Sequence, residues 1–356
     1  MATVLSESIP QAAMNILLID HECHRRTKSA DFFCQLLKSD HNVDVFYYGR
    51  HYDCKLPKAK IDWADVIVFW EFIPFRFRLG VTGKPCVFVP MYDNEWASVG
   101  FWKRLALLGM NVISFSERVT KHAKRCGIEN IVSVKYAPSP DEIHLESGNP
   151  RVAALWERGT VSFKVIKKLF KPEQVDKVIL MRRTEENIQY APISQEDICS
   201  YKVEIHEGGF LPEEEYRKIL EEPGVYIAPR LKEGIGMSFL EQMTMGKCVI
   251  AHNDSTMDEY IKDGDNGILV DMRNPHPIES EEICVVRSNA RKSIAALYER
   301  WERDKKDVLR FFSKLDASKR LHSPWSLRSV LLYAWYFIEG AVFRIKGLRM
   351  MFWAAK

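Results

Sequence analysis

The stretch that decides the fold is Val225-Tyr226-Ile227-Ala228-Pro229, followed after a short gap by Glu233-Gly234-Ile235-Gly236-Met237-Ser238-Phe239-Leu240-Glu241. The first run is apolar, β-rich and ended by proline, which reads as a buried strand. The second opens a helix near Gly236, so the order is strand, glycine loop, helix. In a parallel α/β sheet this junction lies at the carboxyl ends of the strands, where ligands bind. Unpaired N–H groups at the helix start, with the positive end of the dipole, suit a phosphate. Glycines at 234 and 236 let such a ligand approach the backbone.

Upstream, Asn15 to Asp20, Val43 to Tyr47, Val66 to Trp70, Cys86 to Pro90 and Asn111 to Phe115 read as strands, with helical patterns between most of them. A second series holds Val152 to Trp156, Val178 to Met181, Val203 to Ile205, Val225 to Ala228, Val249-Ile250 and Ile268 to Val270. Such alternation predicts an α/β protein with doubly wound parallel sheets and right-handed crossovers. Pro138-Ser139-Pro140 is the best linker between the two series. The predicted organisation is a flexible tail over 1–13, a first domain over 14–140, a second over 141–321 and a last helix over 322–356.

At 356 residues the chain is long enough for two domains. Its 46% hydrophobic and 28% charged residues are those of a soluble, well-packed protein. A formal charge of +3 gives no field that would recruit nucleic acid. The 8 cysteines are scattered without a C-x-x-C pair, which fits reduced thiols and a cytoplasmic location. The N-terminus lacks the basic and apolar regions of a signal peptide. No run reaches the roughly 18 apolar residues of a spanning helix.

The run from Glu233 to Glu241 resembles the E-x7-E signature of the retaining glycosyltransferases of family 4. These have the GT-B fold, in which two Rossmann-like domains face a cleft and the C-terminal helices cross back to the first domain. Val203 to Pro212 resembles the strand and loop before that family's Glu-rich helix. Asp258-Glu259-Tyr260-Ile261, with Asp263 to Val270, resembles its glycine-containing tail. The likeness is dense from about 200 to 271, thinner from 152 to 199 and architectural before that. It implies transfer of a sugar from a nucleotide-sugar donor to a hydroxyl of a glycan or lipid-linked glycan. Lipopolysaccharide, capsule or other surface-polysaccharide assembly is the setting it suggests, with no metal or other cofactor.

Carried over residue by residue, the resemblance has Glu241 bind the ribose and Glu233 the donor sugar. Gly234, Gly236, Met237 and Ser238 line the phosphate turn. Phe210 and Leu211, next to Gly209, lie where the base packs. Arg158 and Lys164 are the diphosphate candidates, one residue off the family's usual spacing, with Arg182 and Arg183 as competitors. Asp93, after the strand ending at Pro90, is the place for a catalytic group touching donor sugar or acceptor hydroxyl. A turn-stabilising aspartate is the alternative. The Gly-Gly turn that many relatives carry after the first strand is absent. His21 to Ser29 replaces it with a basic loop suited to donor phosphates or an anionic acceptor. His21, Cys23 and His24 lack structural-zinc spacing.

Eight residues of helix span roughly 12 Å, beyond the roughly 5–9.5 Å between the two carboxylates of a glycosidase. Glu233 and Glu241 therefore read as binding groups rather than an acid/base pair. From 319 to 356, seven Lys or Arg stand against one acidic residue, among Trp325, Trp335, Phe337 and Trp353. That mixture suits an anionic bilayer surface, and Pro74 to Arg78 and Phe101 to Arg104 add to it. The alternative is a helix packed on the first domain with solvated charges. The competing functions are a sugar-nucleotide epimerase or a phosphorylase of the same fold, or a non-catalytic nucleotide- or glycan-binding subunit.

Overall fold

The computed structural model describes residues 13–49, 56–73, 83–94, 98–141, 143, 148–182, 188–209 and 211–315. Two six-stranded, all-parallel sheets form its frame. The first is built from β1 (Asn15–His21), β2 (Asn42–Tyr48), β3 (Val66–Glu71), β4 (Cys86–Pro90), β5 (Asn111–Ser114) and β6 (Ile131–Ser133), in the order β2-β1-β3-β4-β5-β6. The second is built from β7 (Asn149–Trp156), β8 (Lys177–Arg182), β9 (Val203–Glu207), β10 (Pro223–Ile227), β11 (Cys248–His252) and β12 (Ile268–Val270), in the order β12-β11-β10-β7-β8-β9. This is the GT-B architecture. Every residue of β4, β10 and β11 is buried. Helices cover both faces of such sheets, so their strands read as unbroken apolar runs.

Strand order reverses between β1 and β3 in the first sheet and between β7 and β10 in the second. At such reversals the neighbouring connections leave to opposite faces and open a crevice at the carboxyl ends of the strands. The candidate residues are placed around these two crevices.

The long helix Ser280–Ser313 follows the second sheet but packs into the first unit. Its Trp301 lies 5.8 Å from the Phe32 ring and 6.2 Å from that of Phe115, and Phe32 lies 4.2 Å from Tyr136. Asp304 accepts the Lys135 amide at 2.8 Å. Among the described residues, the C-terminal return to the first domain is thus made by this helix. The expected last helix over 322–356, the tail over 1–12, Pro74 to Arg78, Arg183 and Phe210 lie outside the described residues. Within the helix Val99–Leu107, Trp102 is 1% exposed and packs 6.0 Å from Phe88. Trp102 of that aromatic-basic pattern is therefore core, while Lys103 beside it is exposed. No helix among the described residues is long and apolar enough to cross a membrane.

Candidate active site

The loop after β10 carries the signature. Its helix is Met237–Thr244, capped by Gly236 at φ +82. A Cβ on Gly236 would stand 1.9 Å from the Phe239 ring, so only glycine fits. Gly234 is constrained from the other domain. Its Cβ would meet Asp93 Oδ1 and Met91 Cβ, both at 2.9 Å. The signature loop therefore lies directly on the loop after β4. Thr256 fixes it from behind by donating to the Glu233 carbonyl at 2.9 Å. Because the helix begins only at Met237, Glu233 sits in the loop and the helical estimate of its separation from Glu241 does not apply. The left-handed glycine ends the regular geometry on which that estimate rested.

Glu233 is 9% exposed. Burial pushes its carboxyl up to about 7, with Arg230 opposing, Asp93 adding to the rise and Arg158 opposing. Asp93 is pushed up to about 6, again chiefly by burial, with Glu71 adding and Arg230 opposing. Arg230 donates to Asp93 Oδ2 at 3.0 Å. Two carboxylates, one from each domain, thus share one guanidinium at the seam. Both are poised near neutrality, where a group can donate or accept a proton. Arg230 was missed from sequence. The only signal was a cation shortly before the first glutamate, and nothing local shows that it reaches across to Asp93.

On the first-domain side, β1 delivers Asp20 and the short helix His24–Thr27 delivers His24. Arg25, Arg26 and Lys28 of the basic loop are exposed, whereas His24 is turned inward. His24 Nδ1 lies 2.5 Å from Asp20 Oδ1 and Nε2 lies 3.0 Å from Glu71 Oε2. Burial opposes its charge, but hydrogen bonds to Asp20, Cys23 and Glu71 prevail and push the imidazole up to about 12. Arg25 is stacked 4.5 Å over the Tyr47 ring. Glu71 ends β3 with φ +65, and the Phe72 amide bonds back to the Trp70 carbonyl at 2.7 Å. A tight turn of this kind at a non-glycine residue costs of order 1–3 kcal/mol. It aims the Glu71 carboxylate at His24 and at the Asn94 amide, which donates to it. Both ring nitrogens of His24 are engaged by carboxylates, so neither has a lone pair for a metal. No group of three or more metal-ligating side chains stands together among the described residues.

Arg158 follows β7, 5.0 Å over the Trp156 ring, and is close enough to Glu233 to lower its pKa. Lys164 is exposed on the helix Phe163–Leu169. Arg182, a competitor for the diphosphate, is committed elsewhere: its Nε donates to the buried Glu157 at 2.6 Å and Nη2 to the Ala191 carbonyl at 3.0 Å. Glu241, half-buried on the signature helix, acts electrostatically on Tyr216, whose ring lies 6.3 Å from Trp156. Met237, Ser238 and Leu211 are half-buried.

A second seam holds the domains together. Glu259 accepts from Ser116 Oγ at 2.9 Å, the Glu117 amide at 2.8 Å, the Arg118 amide at 3.2 Å and Ser255 Oγ at 2.6 Å. It also pairs with the buried Lys135. A carboxylate of the second domain thereby caps the helix Glu117–Arg125 of the first. Arg118 returns the contact, donating to Asp254 and, at 2.9 Å, to Asp258.

Residues 194–306 match the family model for glycosyl transferases group 1. No curated protein sequence matches the chain. Solved structures share the fold at low identity. A glycosyltransferase from Rickettsia africae superposes with a TM-score of 0.57 at 13% identity, covering 85% of this chain and 99% of that one. Anabaena HepE in complex with UDP and glucose gives 0.52 at 16%, covering 85% and 100%. The lipopolysaccharide outer core galactosyltransferase WaaB gives 0.52 at 12%, covering 85% and 100%. The GT-B architecture and the match over the second domain together support transferase activity of this general class.

Proposed function

We propose that this chain is a retaining glycosyltransferase of the E-x7-E type, moving a sugar from a nucleotide-sugar to a hydroxyl of a glycan or lipid-linked glycan. The observation that carries the reading is Glu233 at the domain seam, with Asp93 and Arg230 beside it and a glycine-capped helix start beyond. Glu233 holds the donor sugar hydroxyls, and Asp93 meets the donor sugar or the attacking hydroxyl. Arg158, the first amides of the helix Met237–Thr244 and Lys164 face the diphosphate. Glu241 takes the ribose, and Phe210 with Leu211 the base.

Transfer then rests on positioning and on stabilising the departing diphosphate between N–H groups and cations, with water excluded where the domains meet. The leaving phosphate itself helps deprotonate the acceptor, so no dedicated strong base is required. His24 is unsuited to that task, because an imidazolium between two carboxylates has no free lone pair.

WaaB is by its description a lipopolysaccharide outer core galactosyltransferase, which supports a surface-polysaccharide role here. HepE carries UDP with glucose, so UDP-sugars are tried first. The test is thermal stabilisation by UDP, GDP, CMP and ADP, alone and as sugar conjugates, followed by product analysis with and without a glycan acceptor. A base-selective shift with anomer-retaining transfer is expected. Conversion of the donor without acceptor would indicate an epimerase, and binding without turnover a non-catalytic subunit. No shift with any nucleotide would overturn the proposal.

A further inference from the structure

We infer that His24 is a positioning residue for this transfer: clamped between Asp20 and Glu71, it holds the Glu71–Asn94 pair and, through it, the Asp93 loop against the signature loop. The inference rests on the proposed function and adds a component to it. The contacts are continuous. Asp20, 1% exposed, holds Nδ1 at 2.5 Å, and Nε2 reaches Glu71 Oε2 at 3.0 Å. Glu71 Oε1 takes the side-chain amide of Asn94, the residue next to Asp93. Asp93 in turn lies on Gly234 and Arg230. Glu71 is held in a left-handed turn, a conformation that persists only where its surroundings enforce it. The clamp supplies that enforcement.

Charge points the same way. Glu71, Arg230 and Glu233 are the charged groups acting on Asp93. His21, Cys23, Cys34 and Tyr47 surround the Asp20–His24 pair. Without the imidazolium, Asp20 and Glu71 would stand uncompensated on the first-domain side of the cleft. Asp93 would then be harder to ionise, and Glu71 would lose the partner that directs it to Asn94. Because His24 reaches the reacting groups only through others, it is not itself a catalytic residue.

The test compares wild type with His24→Gln and Glu71→Gln. In both variants kcat should fall about a hundredfold, the effect of a displacement near 1 Å at a reacting group, with the donor KM unchanged. For His24→Gln the acid limb of the pH profile should also move up, because Glu71 loses its cationic partner beside Asp93. Wild-type turnover and profile in His24→Gln would overturn the inference. So would a parallel loss of donor affinity and melting temperature, which marks a purely structural role. A readout independent of turnover keeps the two proposals apart. The ring nitrogens of His24 should titrate as doubly protonated through pH 8 by NMR, and the Asp93 carboxyl carbon should titrate higher in His24→Gln. If wild type transfers no sugar, the proposed function fails and these titrations alone decide the clamp. A neutral His24 at pH 7.5, or an unmoved Asp93, refutes it.

Discussion

Replacing Glu233 by Gln should make the protein more stable at alkaline pH while nearly abolishing its proposed activity. The folded carboxyl titrates at about 7 against 4.5 for the free group. At about 1.36 kcal/mol per pH unit, ionising it in place costs the folded state about 3 kcal/mol. The sign follows from proton binding. A carboxyl raised on folding favours the native state fully below 4.5, and that advantage is lost as pH rises through 7. Glutamine has nearly the same shape and never ionises, so it escapes the loss.

Wild type and Glu233→Gln should therefore unfold with similar free energies near pH 4.5. Between pH 5 and 7.5 they should diverge, until the variant is about 2–3 kcal/mol more stable at pH 8. Asp93 titrates in both proteins, somewhat lower in the variant once its charged neighbour is gone. Urea titrations at several pH values measure the difference, and donor turnover on the same samples measures the functional cost, expected at orders of magnitude. A variant less stable than wild type at pH 8 would refute the burial argument. Near-normal turnover would refute the assigned role.

Gly234→Ala drives a methyl into Asp93 and Met91 of the other domain and should cost about 1–3 kcal/mol, read as a lower melting temperature with reduced transfer. Arg158→Ala should weaken nucleotide diphosphate binding by about 1.5–3 kcal/mol, the range for a hydrogen bond to a charged group; calorimetric titration shows it, and unchanged affinity would remove Arg158 from the site. Glu259→Gln leaves Lys135 buried without its carboxylate and should cost about 3–5 kcal/mol. Lys135→Met should cost less, because Glu259 keeps four other donors; equal losses in denaturant titrations would contradict that asymmetry.

The two α/β series were legible because parallel strands buried on both faces leave continuous apolar runs, as Cys86–Pro90 and Cys248–His252 do. The three-residue β6, Ile131–Ser133, is only half-buried and left no such trace. The signature loop was legible because most of its chemistry is local: Gly236, whose left-handed turn against Phe239 only glycine can make, followed by a helix start. What sequence could not show is who meets whom across the seam. Arg230 and Asp93 are 137 positions apart, and Ser116 and Glu259 are 143 apart. The loop after β1 was legible only in part, for a related reason. Its Arg25, Arg26 and Lys28 are exposed as a basic loop requires, but nothing local shows that Asp20 and the distant Glu71 turn His24 inward.

The seam also explains why two carboxylates can stand so far from their ordinary titration range. Buried charge is tolerated where its cost is met elsewhere, and here Glu259 meets it. Its carboxylate joins a helix N-terminus, two hydroxyls and a lysine across the same interface, and despite burial its pKa is held below the ordinary value. That contribution is present at neutral pH and fades as the carboxylate is protonated in acid. The contributions of Glu233 and Asp93 run in the opposite direction. Near neutrality one carboxylate binds the domains while two others strain the place where they touch; under the proposed function, a sugar nucleotide bringing hydroxyls to Glu233 and Asp93 would relieve that strain. On that proposal, donor binding and the contact between the two sheets are coupled, and the contact should tighten with donor occupancy.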